Sequence, residues 1–158
     1  MDDLIFRDLR AEEIECRVAM VKPTGVSLLL YKDARCDMNI LDETVAATNW
    51  QKSYTVLDGQ LFCTVAIWDD KKSQWIYKQD VGVESNTEAE KGRASDAQKR
   101  AAFAWGSVRE LYTAPFMWVK KEDCNITTDN KCYDKFVVQS IEIKDKKITS
   151  LSVYNLNT

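Results

Sequence analysis

The segment 50–81 constrains the fold most strongly, because it has the pattern of three β-strands joined by tight turns. Strands are predicted at 50–57, 61–68 and 74–81. Asp58-Gly59 separates the first two, and this dipeptide is a strong signal for a two-residue hairpin turn. The middle strand, LFCTVAIW, is apolar on both faces, so we expect it to be buried, with a helix layer on one side.

A long helix is predicted to follow this meander. The stretch 80–112 opens with a polar loop around Gly82. Two helix-start signatures come next, each a hydroxyl residue followed three positions later by an acidic or amide residue: Thr87 with Glu90, and Ser95 with Gln98. Apolar residues then recur at helical spacing: Ala97, Ala101, Ala104, Trp105, Val108, Leu111 and Tyr112. We expect this stripe to pack across the three-stranded sheet.

The outer side of the predicted helix carries two cations, Lys99 and Arg100, together with an exposed aromatic residue, Phe103. Cations in such positions are most often simply solvated, and an aromatic there is most often covered by a neighbouring segment. The pattern alone therefore indicates an α+β domain with a basic helix face and does not identify a ligand.

The other segments complete a single α+β domain, 1–158. They are a helix at 8–21, a turn at 22–25, a strand at 26–31, a helix at 37–47, a polar loop at 119–134, and a terminal hairpin with strands at 135–144 and 147–155. The predicted architecture is an antiparallel β-β-β-α core with an N-terminal helix, a long central helix packed on the sheet, and a C-terminal hairpin.

Charge and hydropathy limit the partners of this chain. A net charge of −3 argues against a general binder of polyanions, so any nucleic-acid site must be a local basic patch or one repeated around an oligomer. The first residues, MDDLIFRDLRAEE, are acidic and lack the apolar core of a signal peptide. No apolar run approaches the ~20 residues needed to cross a bilayer. We expect a cytoplasmic protein without membrane contact.

The residue types present exclude several kinds of chemistry. The chain contains no histidine, which removes the usual general base and the usual serine and cysteine triads. Its five cysteines are scattered without a C-x-x-C pair, so no metal is expected and a reducing compartment is indicated. Cys124 and Cys132 flank the polar loop and are expected to be free thiols. The sequence has no Gly-rich phosphate loop, so we predict no ATP-driven activity, no cofactor and no enzymatic function.

Three segments resemble one family of DNA-annealing proteins. They are YKDAR…NILDETVAATNWQ, LFCTVAIWDDKKSQWIYKQDVG and EKGRASDAQKRAAFAWGSVRELYTAPF, and the resemblance covers roughly residues 8–118. They resemble the Rad-fifty-two/Rad-twenty-two-like single-strand annealing proteins, and most closely the short annealases of phages and prophages of low-GC Gram-positive bacteria. The resemblance implies a β-β-β-α core and a homo-oligomeric ring or helical filament.

The resemblance also implies a function. Proteins of this family bind single-stranded DNA in a positively charged groove around the outside of the assembly. They anneal complementary strands without ATP, in phage-type homologous recombination and DNA repair. The expected further partners are a single-strand-binding protein or a phage exonuclease.

Site residues follow from the same resemblance. Arg35, at the end of YKDAR, resembles the groove arginine of the family, and Lys99 and Arg100 resemble the Lys-Arg pair of its long helix. Eukaryotic relatives have another arginine three residues after that pair, where this chain has Phe103, so that contact departs from the pattern. The resemblance does not assign the additional expected phosphate contacts, which are Lys52, Arg93 and Arg109, with Lys78 and Lys91 as further candidates.

Other classes of function stay open from the sequence. An oligomeric interaction or regulatory protein of the same fold would not be retained by DNA at low salt. A small enzyme using Asp and Glu would show metal-dependent cleavage and a tight carboxylate cluster, and none stands out from the sequence. RNA also remains open as the ligand, because phosphate contacts alone do not distinguish it from DNA.

Overall fold

Two compact units make up this chain in a computed structural model that describes residues 4–84 and 89–158. The first unit contains Met1–Arg7 and Asp33–Val108, and the second contains Asp8–Lys32 and Arg109–Thr158. Each unit is assembled from separate stretches of the chain. The single domain expected from the sequence therefore consists of two units, a division that no change in composition marks.

The secondary structure confirms the α+β class. Within the described residues, the eight strands and two α-helices are, in chain order, β1 Glu15–Lys22, β2 Gly25–Tyr31, α1 Ala34–Val45, β3 Trp50–Leu57, β4 Gln60–Asp69, β5 Gln74–Val81, α2 Ala89–Trp105, β6 Met117–Lys120, β7 Phe136–Lys144 and β8 Lys147–Asn155. None of the described helices is long and apolar enough to cross a membrane.

The antiparallel meander β3-β4-β5 forms the sheet of the first unit, as predicted. Its first turn places Asp58 at φ 52° and Gly59 at φ 75°, the left-handed conformations that a two-residue hairpin turn requires. The middle strand is buried, since Cys63, Val65 and Ile67 are each at most 2% exposed. Helix α2 packs on β4 and β5, so the predicted β-β-β-α core is confirmed.

The chain that leaves β5 passes directly against the backbone of α2. A Cβ atom at Gly82 would lie 2.0 Å from the carbonyl oxygen of Arg93, so glycine is required for this approach. The helix begins at Ala89, and Ser95, which was predicted to cap it, lies inside the helix. The other predicted cap, Thr87, lies outside the described residues.

Helix α2 ends earlier than its apolar pattern predicts. The indole Nε1–H of Trp105 donates to the carbonyl oxygen of Val65 at 2.9 Å, which fixes the last turn of the helix on β4. Gly106 then adopts a φ of 108° and ends the helix. The last members of the predicted stripe, Val108, Leu111 and Tyr112, therefore lie beyond α2.

The N-terminal segment overturns one prediction. Residues 8–21 do not form an amphipathic helix; they contain a 3-10 turn at Ala11–Glu13 and most of strand β1. The first α-helix of the structure is α1, which corresponds to the helix predicted at 37–47.

A β-bulge explains why β1 has the periodicity of a helix. The register of β1 against β2 shifts between Val18 and Met20, which leaves Ala19 as an extra residue. Because of this residue, Val18 and Val21 face the same side of the sheet although they are three positions apart. Apolar residues at three- and four-residue spacing are the signature of a helix, so the bulge makes a strand look helical.

A five-stranded sheet in the order β6-β2-β1-β7-β8 forms the second unit. The predicted terminal hairpin β7–β8 is confirmed, and Asp145 and Lys146 both have positive φ in its turn. Strand β6 was not predicted; it pairs with β2 at the edge of the sheet. Five buried residues of the sheet share an apolar side: Cys16, Val26, Leu28, Phe136 and Val138.

The carboxylate of Asp134 holds the polar loop that follows β6. Its Oδ2 accepts hydrogen bonds from the backbone N–H of Asn125 at 2.8 Å and from Nδ2 of Asn155 at 2.8 Å. Burial acts to raise the pKa of Asp134, but the hydrogen bonds outweigh burial and leave the pKa below its usual value. Cys124 and Cys132, which flank this loop, are free thiols, as expected.

Replacing Asp134 by alanine should lower the free energy of unfolding by about 1–2 kcal/mol at neutral pH, because the Asn125 N–H loses its acceptor in a partly exposed site. A lowered carboxyl pKa stabilises the fold above the unfolded-state pKa of about 4, and the stabilisation disappears as pH falls through the folded-state pKa. Urea unfolding from pH 7 to pH 3 measures both effects. Glu122→Ala, at an exposed carboxylate, is the control, and equal effects of the two variants would contradict the assignment.

Candidate nucleic-acid interface

Arg35 lies in the first turn of α1, where Asp33 caps the helix. The Oδ1 atom of Asp33 accepts from the backbone N–H of Arg35 at 2.8 Å and from that of Cys36 at 3.1 Å. Cys36 is buried, whereas Arg35 is exposed. The cap therefore fixes the backbone from which the guanidinium group extends.

A buried amide, that of Gln98, joins α2 to α1 and to β3. Gln98 is only 2% exposed. Its Nε2 donates to the carbonyl oxygen of Ala34 at 2.8 Å, and its Oε1 accepts from Nζ of Lys52 at 2.7 Å. Both ends of the amide thus have the partners that burial demands. One side chain links the start of α1 to the ammonium group of Lys52.

We call Arg35, Lys52, Gln98 and Lys99 the Gln98 cluster. Arg35 directly follows the residue to which the amide donates, and Lys99 directly follows Gln98 in α2. Neither the Arg35 guanidinium nor the Lys99 ammonium has a carboxylate partner in the part of the chain that the structure describes. Three elements of the first unit, α1, β3 and α2, therefore contribute one cation each. Lys52 bonds to the Gln98 amide. Arg35 and Lys99 are the sequence neighbours of the two residues that the other hydrogen bond of this amide joins.

The ammonium group of Lys52 lies at the boundary of the core. It is 5.7 Å from the ring centroid of Tyr54, and it partly offsets the effect of burial, which raises the pKa of the Cys63 thiol. Burial also raises the pKa of Tyr54, whose hydroxyl donates to the carbonyl oxygen of Ala94 at 3.3 Å. Cys63 is fully buried, and a thiol with a raised pKa is protonated at neutral pH, so Cys63 packs as a core residue.

Two of the predicted phosphate contacts are engaged in ion pairs. Nε of Arg100 lies 3.0 Å from Oδ2 of Asp96, one helical turn earlier. Arg93 lies 2.6 Å from a carboxylate oxygen of Glu84 and also donates to the carbonyl oxygen of Gly59 at 3.3 Å. Arg93 therefore supports the β3–β4 turn, and the charge of Arg100 is partly balanced.

The structure also places three other residues that the sequence singled out. Arg109 belongs to the second unit. Nζ of Lys78 donates to the carbonyl oxygen of Ala104 at 3.3 Å and lies 4.9 Å from the ring centroid of Trp105, so it stabilises the C-terminal turn of α2. Phe103 is half-buried, which corrects the prediction of an exposed aromatic.

The sequence did not identify Gln98 as part of the site. It was predicted only as the last residue of a helix-start signature, and in the structure it cross-links three elements instead. Its position could have indicated this role, because Gln98 lies beside Ala97 and three residues before Ala101, on the buried side of the helix. A polar residue on the apolar side of a helix needs partners from other elements.

The chain matches no protein-family model, no curated protein and no solved structure. Among residues 4–84 and 89–158, no group of three or more Cys, Asp or Glu side chains is placed to hold a metal ion.

Replacing Gln98 by leucine should lower the free energy of unfolding by about 1–3 kcal/mol, because the Ala34 carbonyl and the Lys52 ammonium lose their common partner. Urea unfolding followed by circular dichroism measures the change. Gln51→Leu, at an exposed position of β3, is the matched control and should change stability by less than about 0.5 kcal/mol. Equal effects would show that the buried amide does not stabilise the unit.

Proposed function

We propose that this protein binds single-stranded DNA and anneals complementary strands without ATP, as a homo-oligomer in a bacterial host cytosol. The observation that carries the proposal is the Gln98 cluster. Its members Arg35 and Lys99 have no carboxylate partner among the residues described, and the buried amide fixes the elements that present them. Cations without a carboxylate partner, carried on elements that are held in place, bind phosphate oxygens without regard to base sequence.

Annealing requires a strand that is held by its backbone. Arginine and lysine contacts to phosphates leave the base edges free to pair with a second strand. Each contact also releases condensed counterions, so the affinity falls as the salt concentration rises. A cluster that binds phosphates and does not read bases meets both requirements.

A homo-oligomer would compensate for the small number of cations in one copy. A chain with a net charge of −3 makes a weak polyanion binder when it acts alone. A ring or helical filament repeats the Gln98 cluster along one strand and raises the overall affinity by multivalency. The edge strand β3 exposes Val56 and Leu57, which are available for contacts between copies.

The sequence resemblance supports the same function. Its motifs cover the junction of β2 and α1, the β3-β4-β5 meander and helix α2, and the structure has the β-β-β-α core that the annealing proteins share. A single-strand-binding protein or a phage exonuclease is the proposed further partner.

A second candidate is an oligomeric regulatory protein that binds other proteins and no DNA. The ion pairs of Arg93 and Arg100 favour it, because they engage two of the expected phosphate contacts with carboxylates. The net negative charge favours it as well. The same experiment separates the two candidates.

The double variant Arg35→Ala/Lys99→Ala should lose most of the acceleration of annealing between two complementary labelled oligonucleotides, without nucleotide or metal. Its binding to oligo-dT should also depend less on salt. Each lost phosphate contact reduces the slope of log affinity against log salt by about 0.7, so the slope should change by about 1.4.

Lys71→Ala/Lys72→Ala is the matched control, since it removes the same charge from the exposed β4–β5 turn. It should anneal like the wild type, and circular dichroism and sedimentation check the fold and oligomeric state of both. Equal losses in the two double variants would attribute the effect to net charge and overturn the site. A wild-type protein that neither binds nor anneals single strands at low salt would favour the regulatory candidate.

A further inference from the structure

One face of the five-stranded sheet in the second unit exposes aromatic and cationic side chains on three neighbouring strands. They come from β1, β2 and β6, and we call this surface the aromatic-basic face: Arg17, Met20, Lys22, Tyr31, Trp118 and Lys120. All six side chains are exposed, and Trp118 and Tyr31 keep 38% and 40% of their surface accessible. The opposite face of the same strands carries the buried residues Val26 and Leu28.

The strand register places these residues on one face. Gly25 of β2 lies opposite Lys22 of β1 and opposite Lys120 of β6, so the two lysines belong to one row across the sheet. Ser27 lies in the next row, opposite Met20 and Trp118. Residues directly opposite each other point to the same side of a sheet.

The bulge at Ala19 unites two sets of side chains that a regular strand would separate. Arg17 lies opposite Leu29, and Met20 lies opposite Ser27, although the two β1 residues are an odd number of positions apart. In a regular strand they would point to opposite faces. The extra residue turns Met20 and Lys22 to the face that carries Arg17.

Trp118 is held against the backbone of β2. A Cβ atom at Gly25 would lie 2.8 Å from the indole ring and 2.2 Å from the carbonyl oxygen of Val119, so only glycine fits beneath the ring. The indole is therefore fixed by packing and still partly exposed. A fixed and accessible aromatic surface is suited to stacking against a flat ring.

Tyr31 provides a second aromatic surface. The guanidinium carbon of Arg17 lies 5.1 Å from the Tyr31 ring centroid, and Arg17 also donates to Glu15. Tyr31 stands four positions beyond Ser27, the residue opposite Trp118. At about 3.3 Å per residue the two aromatics are roughly 13 Å apart along β2, which is enough to contact different bases of one strand.

The two lysines of the face favour an anionic partner, whereas Arg17 is balanced by Glu15 on the same face. Lys22 and Lys120 have no carboxylate partner among residues 4–84 and 89–158, and they flank Gly25 at a separation of about two strand spacings, or roughly 10 Å. Lysine is depleted in the cores of protein–protein interfaces, so this row argues against a dry contact with another protein. Cations that alternate with exposed aromatics are typical of surfaces that bind single-stranded nucleic acid.

We propose that the aromatic-basic face is a second binding surface for single-stranded nucleic acid, separate from the Gln98 cluster. Bases stack on Trp118 and Tyr31, and phosphates contact Lys22 and Lys120. Stacking uses base surfaces that every nucleotide has, so the binding is independent of sequence and includes both DNA and RNA chemistry. The proposal does not depend on annealing, since it requires only that a single strand binds.

Ultraviolet crosslinking of the full chain to oligo-dT, followed by peptide mass spectrometry, tests the location directly. We expect crosslinks on Trp118 and Tyr31, and we expect them to persist in Arg35→Ala/Lys99→Ala. If the Gln98 cluster does not bind DNA, these crosslinks should still form. The crosslinking result therefore tests the aromatic-basic face independently of the annealing proposal. Parallel reactions with oligo-rU show whether the surface accepts DNA, RNA or both.

Affinity measurements test the stacking contribution. Trp118→Leu should weaken oligo-dT binding by about 5- to 100-fold while hardly changing the affinity for an abasic oligonucleotide of equal length. Lys22→Gln/Lys120→Gln should weaken both ligands and reduce the salt dependence. The matched controls are Tyr133→Leu, an exposed aromatic of the same unit, and Lys144→Gln/Lys147→Gln, a cross-strand lysine pair at the β7–β8 turn.

Two outcomes would overturn the proposal. One is an absence of crosslinks on β2 and β6 together with wild-type affinity of the Trp118 and lysine variants. The other is a change of oligomeric state in Trp118→Leu without a change in oligo-dT affinity, which would make the face a contact between copies.

Discussion

The buried amide of Gln98 is the contact on which the arrangement of the first unit depends. A polar side chain in a core destabilises the fold unless each of its groups has a partner, so the amide imposes a strict geometric condition on its neighbours. The condition is met only when the Ala34 carbonyl and the Lys52 ammonium both lie within hydrogen-bond distance. The two hydrogen bonds of this buried amide hold α1, β3 and α2 in position relative to one another. They thereby also hold the backbones that carry the cations Arg35, Lys52 and Lys99.

The sequence predicted the parts of the fold that depend on local chemistry. Asp58-Gly59 and Asp145-Lys146 adopt the backbone of two-residue turns, so both hairpins could be placed from turn residues and alternation. Strand β1 could not, because the bulge at Ala19 puts Val18 and Val21 on one face at a spacing typical of a helix. Strand β6 has only four residues, too few for their alternation to distinguish a strand from a loop.

The candidate sites were predictable to different degrees. The Asp96–Arg100 ion pair is four residues apart on a helix, so its effect on Arg100 could have been found from the sequence. The partners of Arg93 and Lys52 come from other elements, and only the fold brings them together. The sequence shows that Trp118 and Lys120 alternate along a strand. Whether Lys22 lies on the same face as these two residues depends on the β1 bulge, which no local pattern revealed.

Strand β1 occupies the middle of the sheet in the second unit, yet it is synthesised long before β6 and β7, the strands that complete its surroundings. During synthesis, residues Asp33–Val108 of the first unit emerge after the β1–β2 hairpin and before β6, so both edges of the hairpin are unpaired over that time. Unpaired edges invite pairing with other nascent chains. A bulge and a charged residue both disfavour such pairing, and β1 carries both, at Ala19 and at Lys22.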